Sequence, residues 1–209
     1  MEVARGETFN IIGKSYVGKT CFVRRYMLDQ FEEYIPTIGI DFVKRNIHIH
    51  PETQEVCWRY PNESEVCKGG THCSFSLLYW DLAGNEWYRI PMRSYYRFSQ
   101  GIFMLYDITD RATFESLETE LNLIEEFALN SQIVVIGTKV DLVMDWMEEE
   151  KHTENVESKA KRQVSYEEGF QFANKIGASF FEVSSKLDIN IKEAFDSMSK
   201  KIYNFFIIP

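Results

Sequence analysis

The first segment able to do chemistry is a glycine-rich stretch at residues 13–20, Gly-Lys-Ser-Tyr-Val-Gly-Lys-Thr. It matches the pattern G-x-x-x-x-G-K-[ST], in which backbone N–H groups and a helix N-terminus face a chain of phosphates. Lys19 can reach the β- and γ-phosphates, and the Thr20 hydroxyl can ligate Mg²⁺. An apolar run at 9–12 precedes the stretch and an amphipathic run follows it, as the motif requires. The predicted phosphate contacts are Gly13, Ser15, Tyr16, Val17, Gly18, Lys19, Thr20 and Cys21.

A second polar segment, Thr-Lys-Val-Asp at 138–141, follows an apolar run and indicates a guanine base. The carboxylate of Asp141 can accept both the N1 proton and the 2-amino group of guanine, whereas adenine offers no such pair of donors. The aliphatic stem of Lys139 can lie along the base, with its ammonium in water. After a further apolar run, the backbone N–H of Ser185 can donate to the guanine carbonyl oxygen. The predicted base contacts are Thr138, Lys139, Asp141, Ser184, Ser185 and Lys186.

Two segments that lie between these motifs are candidates for sensing the γ-phosphate. Thr37, which follows a proline, is the candidate second Mg²⁺ ligand. Asp81 is the candidate for a water-bridged metal contact, and the backbone N–H of Gly84 is the candidate donor to the γ-phosphate. Each segment alone is common turn chemistry. Five such segments in this order indicate a guanine-nucleotide site that holds Mg²⁺.

These segments resemble those of the small GTPases of the Ras superfamily, and within it those of the Rab branch. The segments that carry the branch assignment are Ile38-Gly39-Ile40-Asp41-Phe42, Leu77-Leu78-Tyr79-Trp80-Asp81, Tyr95-Tyr96-Arg97 and Met104-Leu105-Tyr106-Asp107-Ile108-Thr109. The resemblance covers nearly the whole chain and implies the G domain of P-loop NTPases, with GTP or GDP and Mg²⁺ as ligands. Rho proteins share Thr-Lys-x-Asp in place of the commoner Asn-Lys-x-Asp, so a Rho-like alternative stays open.

The resemblance also implies a role and partners. It predicts a switch that regulates vesicle or membrane trafficking, with an exchange factor and a GTPase-activating protein. Its effectors are expected to contact an aromatic surface formed by Phe42, Trp80 and Tyr95.

Several positions near the nucleotide depart from the Rab pattern. Asn85 stands where the family usually has the glutamine that orients the attacking water, so we expect slow GTP hydrolysis. Tyr16 stands at a position that is often glycine, and we expect its side chain to lie outward in solvent rather than to shield the phosphates. The resemblance places Phe31 and Tyr34 beside the nucleotide, although the loop from Phe31 to the Mg²⁺-ligand threonine is one residue shorter than in common Rabs.

Three function classes remain open at this point. The leading one is a GTP-dependent molecular switch and slow GTPase, in which Lys19 and Asn85 take part in catalysis. A nucleotide-bound scaffold or interaction protein that does not cycle is the alternative. The substitution at Asn85 favours this alternative, whereas the metal-ligand candidates Thr20, Thr37 and Asp81 favour the switch. A phosphotransferase or ATPase is disfavoured by the guanine-type base contacts.

Strand-like and helix-like patterns alternate along the chain, which predicts one α/β domain over 1–209. The expected strands lie near 9–12, 40–48, 74–80, 102–106, 133–136 and 179–183, and the expected helices near 20–28, 88–98, 111–128, 165–176 and 190–206. Such alternation implies a mostly parallel six-stranded sheet flanked by helices, with the ligand beyond the carboxyl ends of the strands. Ser165 and Glu168 predict a capping box. The expected core face of the last helix is Ile191, Phe195, Met198, Ile202 and Phe205.

The composition agrees with a compact intracellular domain, and the resemblance implies a cytoplasmic protein that can contact membranes peripherally. The 209 residues are 44% hydrophobic and 15% aromatic, which is ample for a core. A formal charge of −9 argues against nucleic acid as a partner, because phosphate binding outside the nucleotide pocket needs a basic face. The sequence shows no apolar run of transmembrane length and no signal peptide.

Two insertions, near 49–73 and 143–161, interrupt the Rab pattern. The first carries several cysteines and histidines, including Cys57, Cys67 and Cys73, but their spacing does not form a zinc knuckle. We therefore expect an elongated hairpin without a stoichiometric metal, and keep zinc as the alternative. The second insertion is rich in charge, which is typical of a solvated helix or a disordered loop, with a docking element as the alternative.

The C-terminus also departs from the Rab pattern. Rab proteins are held on membranes by prenyl groups on C-terminal cysteines, whereas the last cysteine here is Cys73. We expect no prenylation cysteine in this chain. Either the sequence is truncated or the protein is an unprenylated member.

Overall fold

A computed structural model of the chain describes residues 6–32, 40–50, 52–58, 73–82, 96–144 and 161–207. In these ranges seven strands form one sheet, in the order β3-β2-β4-β1-β5-β6-β7. Their bounds are β1 Gly6–Ile12, β2 Ile40–Ile49, β3 Val56–Trp58, β4 Cys73–Leu82, β5 Gly101–Asp107, β6 Gln132–Thr138 and β7 Ser179–Glu182. The five strands from β4 to β7 in that order are parallel, and β2 runs antiparallel to both of its neighbours. The α/β class and the mostly parallel sheet are confirmed.

The predicted number of strands was wrong: the sequence predicted six, and the described residues form seven. The additional strand is β3, which lies in the first insertion and pairs with the far end of β2 from Ile47 to Ile49. Between the two strands, the His50 N–H donates to the Glu55 carbonyl oxygen at 3.0 Å, and the Gln54 N–H donates to the His50 carbonyl oxygen at 2.8 Å. The inserted chain therefore covers the last residues of an edge strand, whose backbone N–H and C=O groups need partners.

The helices have bounds close to the expected ones, except that one expected helix is divided into two. They are α1 Lys19–Leu28, α2 Arg111–Glu115, α3 Leu117–Phe127, α4 Tyr166–Lys175 and α5 Ile191–Ile202. The pattern predicted one helix over 111–128, but the structure begins a second helix after Ser116. The capping box of α4 is present, with both Ser165 and Glu168 side chains bonded to backbone N–H groups. The helix expected near 88–98 lies mostly outside the described residues.

The core lies on both faces of the sheet, because alternate side chains of each strand point to opposite faces. On one face Phe103 of β5 packs with Phe22 of α1 and Phe195 of α5. On the other face Met104 and Tyr106 of β5 belong to a cluster with the buried residues of α3 and α4. The helices are thereby held on the two sides of a sheet whose central strand β5 is completely buried.

The last helix buries the predicted face with one exception. Ile191, Phe195, Met198 and Ile202 are buried, but Phe205 is 55% exposed. The reason is a change of helix type, since a π-helical turn over Tyr203–Ile207 follows α5. A π turn holds more residues than an α turn, so position 205 no longer lies on the buried face. In the part of the chain that the structure describes, no helix is long and apolar enough to cross a membrane.

Candidate functional site

The predicted phosphate and base segments meet at one edge of the sheet. They follow β1, β6 and β7, and parallel strands place their carboxyl ends together. A direct contact joins two of the segments, because the Thr138 Oγ1 lies 2.7 Å from the carbonyl oxygen of Val17 and 2.9 Å from that of Tyr106. Thr138 thus connects the phosphate loop to the base segment across 121 positions of sequence.

The phosphate loop needs its glycines for two different reasons. Gly13 has a φ of 141°, and a Cβ there would lie 2.3 Å from the carbonyl oxygen of Leu105. Gly18 has a φ of 93° and ends the loop in a left-handed conformation just before α1. Tyr16 also has a positive φ, 70°, although it has a side chain. That side chain is 67% exposed, in agreement with the outward orientation that we expected.

The N-terminus of α1 is suited to bind an anion. Its first turn holds no acidic residue, and its N-cap, Gly18, has no side chain to bond the first N–H groups. Lys19, the first residue, is only 6% exposed. Its Nζ donates to the carbonyl oxygens of Gly13 at 2.9 Å and Lys14 at 2.8 Å. These bonds hold a buried ammonium beside the loop, next to the hydroxyl-bearing Thr20. The donor set fits a nucleotide phosphate with Mg²⁺.

The carboxylate predicted to recognise the base is fixed by its neighbour. Asp141 is 7% exposed, and its Oδ1 accepts a hydrogen bond from the buried Ser184 hydroxyl at 2.6 Å. The Ser184 hydroxyl in turn accepts the N–H of Leu187 at 3.0 Å. The two segments that the sequence assigned to the base are therefore in contact, and the hydroxyl proton is directed at the carboxylate.

Lys139 is held by a partner that the sequence analysis did not identify. Its Nζ lies 2.6 Å from Oδ2 of Asp107, the last residue of β5. The other oxygen of Asp107 accepts the backbone N–H and the hydroxyl of Thr109, at 2.8 and 2.7 Å. Lys139 has a positive φ of 66°, so its backbone is also in an uncommon conformation. The signal that could have identified Asp107 is its position at the carboxyl end of the strand beside β6.

The second base segment is a closed turn that α1 supports. Ser184 and Ile189 exchange two backbone hydrogen bonds, of 3.1 and 3.0 Å, which close the turn. Arg25 of α1 donates from Nε to the carbonyl oxygen of Ser185 at 2.7 Å and from Nη2 to that of Lys186 at 3.2 Å. Partial burial raises the pKa of Asp188 in this turn above its ordinary value, and the charge of Arg25 only partly opposes that shift.

Comparison with known proteins agrees with this arrangement. The profile of the Ras family matches residues 9–204. The chain belongs to the Ras family. Among its relatives is the GTP-binding protein ypt2 of Schizosaccharomyces pombe, 32% identical over 194 residues, covering 92% of this chain and 78% of the relative. Rab-1A of Dictyostelium discoideum is 33% identical over 196 residues (93% and 79%), and human Rab-3A is 34% identical over 190 residues (90% and 70%). The protein is thus a Rab-like small GTPase.

Several predicted site residues of this Rab-like protein lie outside the described residues. They are Tyr34, Thr37, Gly84, Asn85 and the effector-contact candidate Tyr95. The segment 59–72, which bears on the zinc alternative, and residues 145–160 of the second insertion also lie there. These expectations stay predictions.

For two further candidates, Asp81 and Trp80, the structure describes the backbone. Pairing of β4 with β1 places Asp81 beside Ile11, two residues before the phosphate loop, and its metal role stays a prediction. Pairing of β4 with β2 places Trp80 opposite Phe42, so two positions of the predicted effector surface are neighbours.

The remaining candidates at the loop side are Phe31 and Cys21. Phe31 is partly exposed, and the Cys21 Sγ lies 3.8 Å from the carbonyl oxygen of Glu32. A base-edge role of Phe31 stays a prediction.

A further residue that the sequence did not indicate is Arg162, which pairs with Glu182 through two hydrogen bonds of 2.6 and 2.9 Å. This ion pair ties the chain after the second insertion to the end of β7, where the base segment begins.

Proposed function

We propose that this Rab-like GTPase binds GTP and GDP with Mg²⁺, changes partners with the nucleotide state, and hydrolyses GTP slowly in membrane trafficking. The observation that carries the proposal is the contact between Thr138 and Val17. It unites a phosphate loop with a segment whose buried carboxylate, Asp141, suits guanine. The names of the relatives, which include a GTP-binding protein and Rab proteins, agree with it.

The residues have separate roles in this proposal. The loop from Gly13 to Gly18 and the N-terminus of α1 surround the phosphates, and Lys19 neutralises the β- and γ-phosphate charge. Thr20, Thr37 and Asp81 would hold Mg²⁺, which would supply positive charge against the negative charge that develops on the phosphates. A γ-phosphate contacted by Thr37 and Gly84 would order their two segments, and a partner would recognise that order.

Nucleotide content tests the proposal directly. Protein purified in Mg²⁺ buffer should release about one GDP or GTP per chain on denaturation, measured by chromatography. Calorimetry on protein stripped of nucleotide should give strong GTP and GDP binding and no measurable ATP binding, because ATP lacks the donors that Asp141 accepts. Equal affinities for ATP and GTP would contradict the proposal.

Replacing Asn85 with glutamine should accelerate GTP hydrolysis. The amide of Asn85 is one methylene shorter than that of glutamine, and a misplacement of about 1 Å near the reacting atoms can cost about 10²-fold. We expect Asn85→Gln to raise the single-turnover rate of GTP hydrolysis by roughly 10- to 100-fold. GTP affinity, measured in parallel, should change little, since the side-chain amide is expected to contact the attacking water rather than the base or the phosphates.

The same assay distinguishes the two kinds of function. A wild-type rate equal to that of the variant would show that Asn85, or another residue such as Tyr16, positions water adequately, and the slow-cycling proposal would be abandoned. A scaffold that does not cycle is the second candidate, favoured by Asn85. Such a protein would capture the same partners from its GDP- and GTP-loaded forms, whereas a switch selects partners by state.

The partners that we propose follow the Rab pattern. Effectors would contact the surface of Phe42, Trp80 and Tyr95, and aromatic residues are effective interface anchors. An exchange factor and a GTPase-activating protein would set the nucleotide state, and the latter can supply a catalytic arginine in trans. We propose a cytoplasmic location with peripheral membrane contact, and no nucleic acid partner.

A further inference from the structure

A single arginine connects helix α1 to the turn that is expected to contact the guanine carbonyl oxygen. Arg25 donates to two successive carbonyl oxygens, those of Ser185 and Lys186, at 2.7 and 3.2 Å. We propose that Arg25 is a positioning residue for guanine recognition, because it holds the backbone that follows Ser185 and so keeps the Ser185 N–H in place beside the base. This inference rests on the proposed function and extends it to a residue that does not itself contact the nucleotide.

Both peptide groups that flank the Ser185 Cα are fixed. The preceding peptide contains the carbonyl of Ser184 and the N–H of Ser185, and its carbonyl accepts the N–H of Ile189 at 3.0 Å. The following peptide contains the Ser185 carbonyl, which accepts the Arg25 Nε–H. Since a peptide group is planar and trans, holding the carbonyl on one side directs the N–H to the other. The bond from Ile189 to the Ser184 carbonyl therefore sets the direction of the Ser185 N–H. The bond from Arg25 holds the next peptide group, so it restrains rotation about ψ of Ser185 and keeps this N–H in place relative to α1.

The guanidinium is itself held rigidly. Its Nη1 donates to the side-chain and main-chain oxygens of Asp29, at 2.9 and 3.3 Å. The Arg25 side chain is only 13% exposed, and its bond to the Ser185 carbonyl oxygen is partly buried. A planar group with donors in fixed directions can hold two successive carbonyls at once, which a lysine ammonium cannot match.

The same helix also carries the phosphate contacts. Helix α1 begins at Lys19, beside the phosphate loop, and Arg25 lies six positions later. One rigid element thus connects the phosphate end of the site with the base end. The neighbouring arginine offers a matched control, because Arg24 pairs with the exposed Glu32 and makes no described contact with residues 184–186.

Nucleotide release provides the test. Wild type, Arg25→Met and Arg24→Met are loaded in turn with GDP, inosine diphosphate and 6-thio-GDP, and each nucleotide is displaced with excess GTP. Arg25→Met should speed release of GDP by about tenfold, the usual effect of losing a charge-assisted hydrogen bond. It should speed release of inosine diphosphate equally, since inosine keeps the carbonyl and lacks only the 2-amino group. The effect on 6-thio-GDP should be under about threefold, because sulfur is a weak acceptor.

The pattern across the three nucleotides separates positioning from general support. The proposal is overturned if Arg25→Met speeds release of all three by the same factor, since that is what loss of helix or fold stability would do. It is also overturned if Arg24→Met gives the same selective pattern. If Arg25→Met does not fold, Arg25→Lys, which can hold one carbonyl, should give the same pattern with a smaller factor, and a uniform factor would again overturn the proposal. Wild-type protein that retains no guanine nucleotide would instead refute the proposed function.

Discussion

Replacing Asp141 with asparagine is expected to change the base preference from guanine to xanthine. The Ser184 hydroxyl accepts the N–H of Leu187, so its own proton is directed at Oδ1 of position 141. An asparagine there should keep its oxygen toward Ser184 and present its NH₂ group where the second carboxylate oxygen stood. That NH₂ opposes the N–H donors of guanine but can donate to the second carbonyl of xanthine.

Competition between GDP and xanthosine diphosphate measures the effect. We expect Asp141→Asn to weaken GDP binding by at least about 10³-fold and to strengthen binding of xanthosine diphosphate. Asp110→Asn is a suitable control, since Asp110 accepts an N–H at the start of α2 and lies outside the predicted base contacts. An unchanged preference in Asp141→Asn would remove this carboxylate from the base site.

Removing the ammonium of Lys19 is expected to weaken nucleotide binding through the phosphates. Lys19 is almost completely buried, with two carbonyl partners that hold it beside the phosphate loop. Charge-assisted hydrogen bonds contribute about 1.5–3 kcal/mol each, so Lys19→Ala should weaken GDP and GTP binding by at least about 10²-fold. The effect should nearly vanish for guanosine, which has a base but no phosphate.

Calorimetry with GTP, GDP and guanosine makes the comparison, and Lys14→Ala provides the control. Lys14 lies in the same loop, and its carbonyl accepts a bond from Lys19, but its side chain occupies a variable position of the motif. We expect Lys14→Ala to bind all three ligands nearly as wild type does. Equal losses for GDP and guanosine in Lys19→Ala would indicate that the variant had lost its loop structure rather than a phosphate contact.

The parts of this protein that could be predicted from sequence are those whose information is local. The phosphate loop is eight consecutive residues, and Gly13 and Gly18 occur where a side chain would clash or strain the backbone. The capping box of Ser165 and Glu168 spans four residues, and the seven-residue burial of β5 follows a continuous apolar run. Because each pattern spans a turn or a single element, no knowledge of the packing was needed.

Prediction was wrong where neighbouring elements or changes of helix type decide the outcome. Six strands were expected, but β3 pairs with the exposed edge of β2, and edge pairing depends on which strand lies alongside. Phe205 was assigned to the core, but the helix widens to a π turn before it. Periodicity assumes that one geometry continues along an element, and the π turn breaks that assumption. Periodicity also does not say which strand lies alongside an edge, so it does not predict β3.

The sequence by itself determined the family, the order of the nucleotide motifs and the residue types that suit phosphate and guanine. Only the tertiary structure decided which side chains hold those residues in place. Asp107 holds Lys139, Arg25 holds the turn at Ser185, and Thr138 contacts Val17, and each pair is brought together from distant parts of the chain. Such contacts depend on the order and register of the strands and on helix packing, which no local pattern of residues specifies.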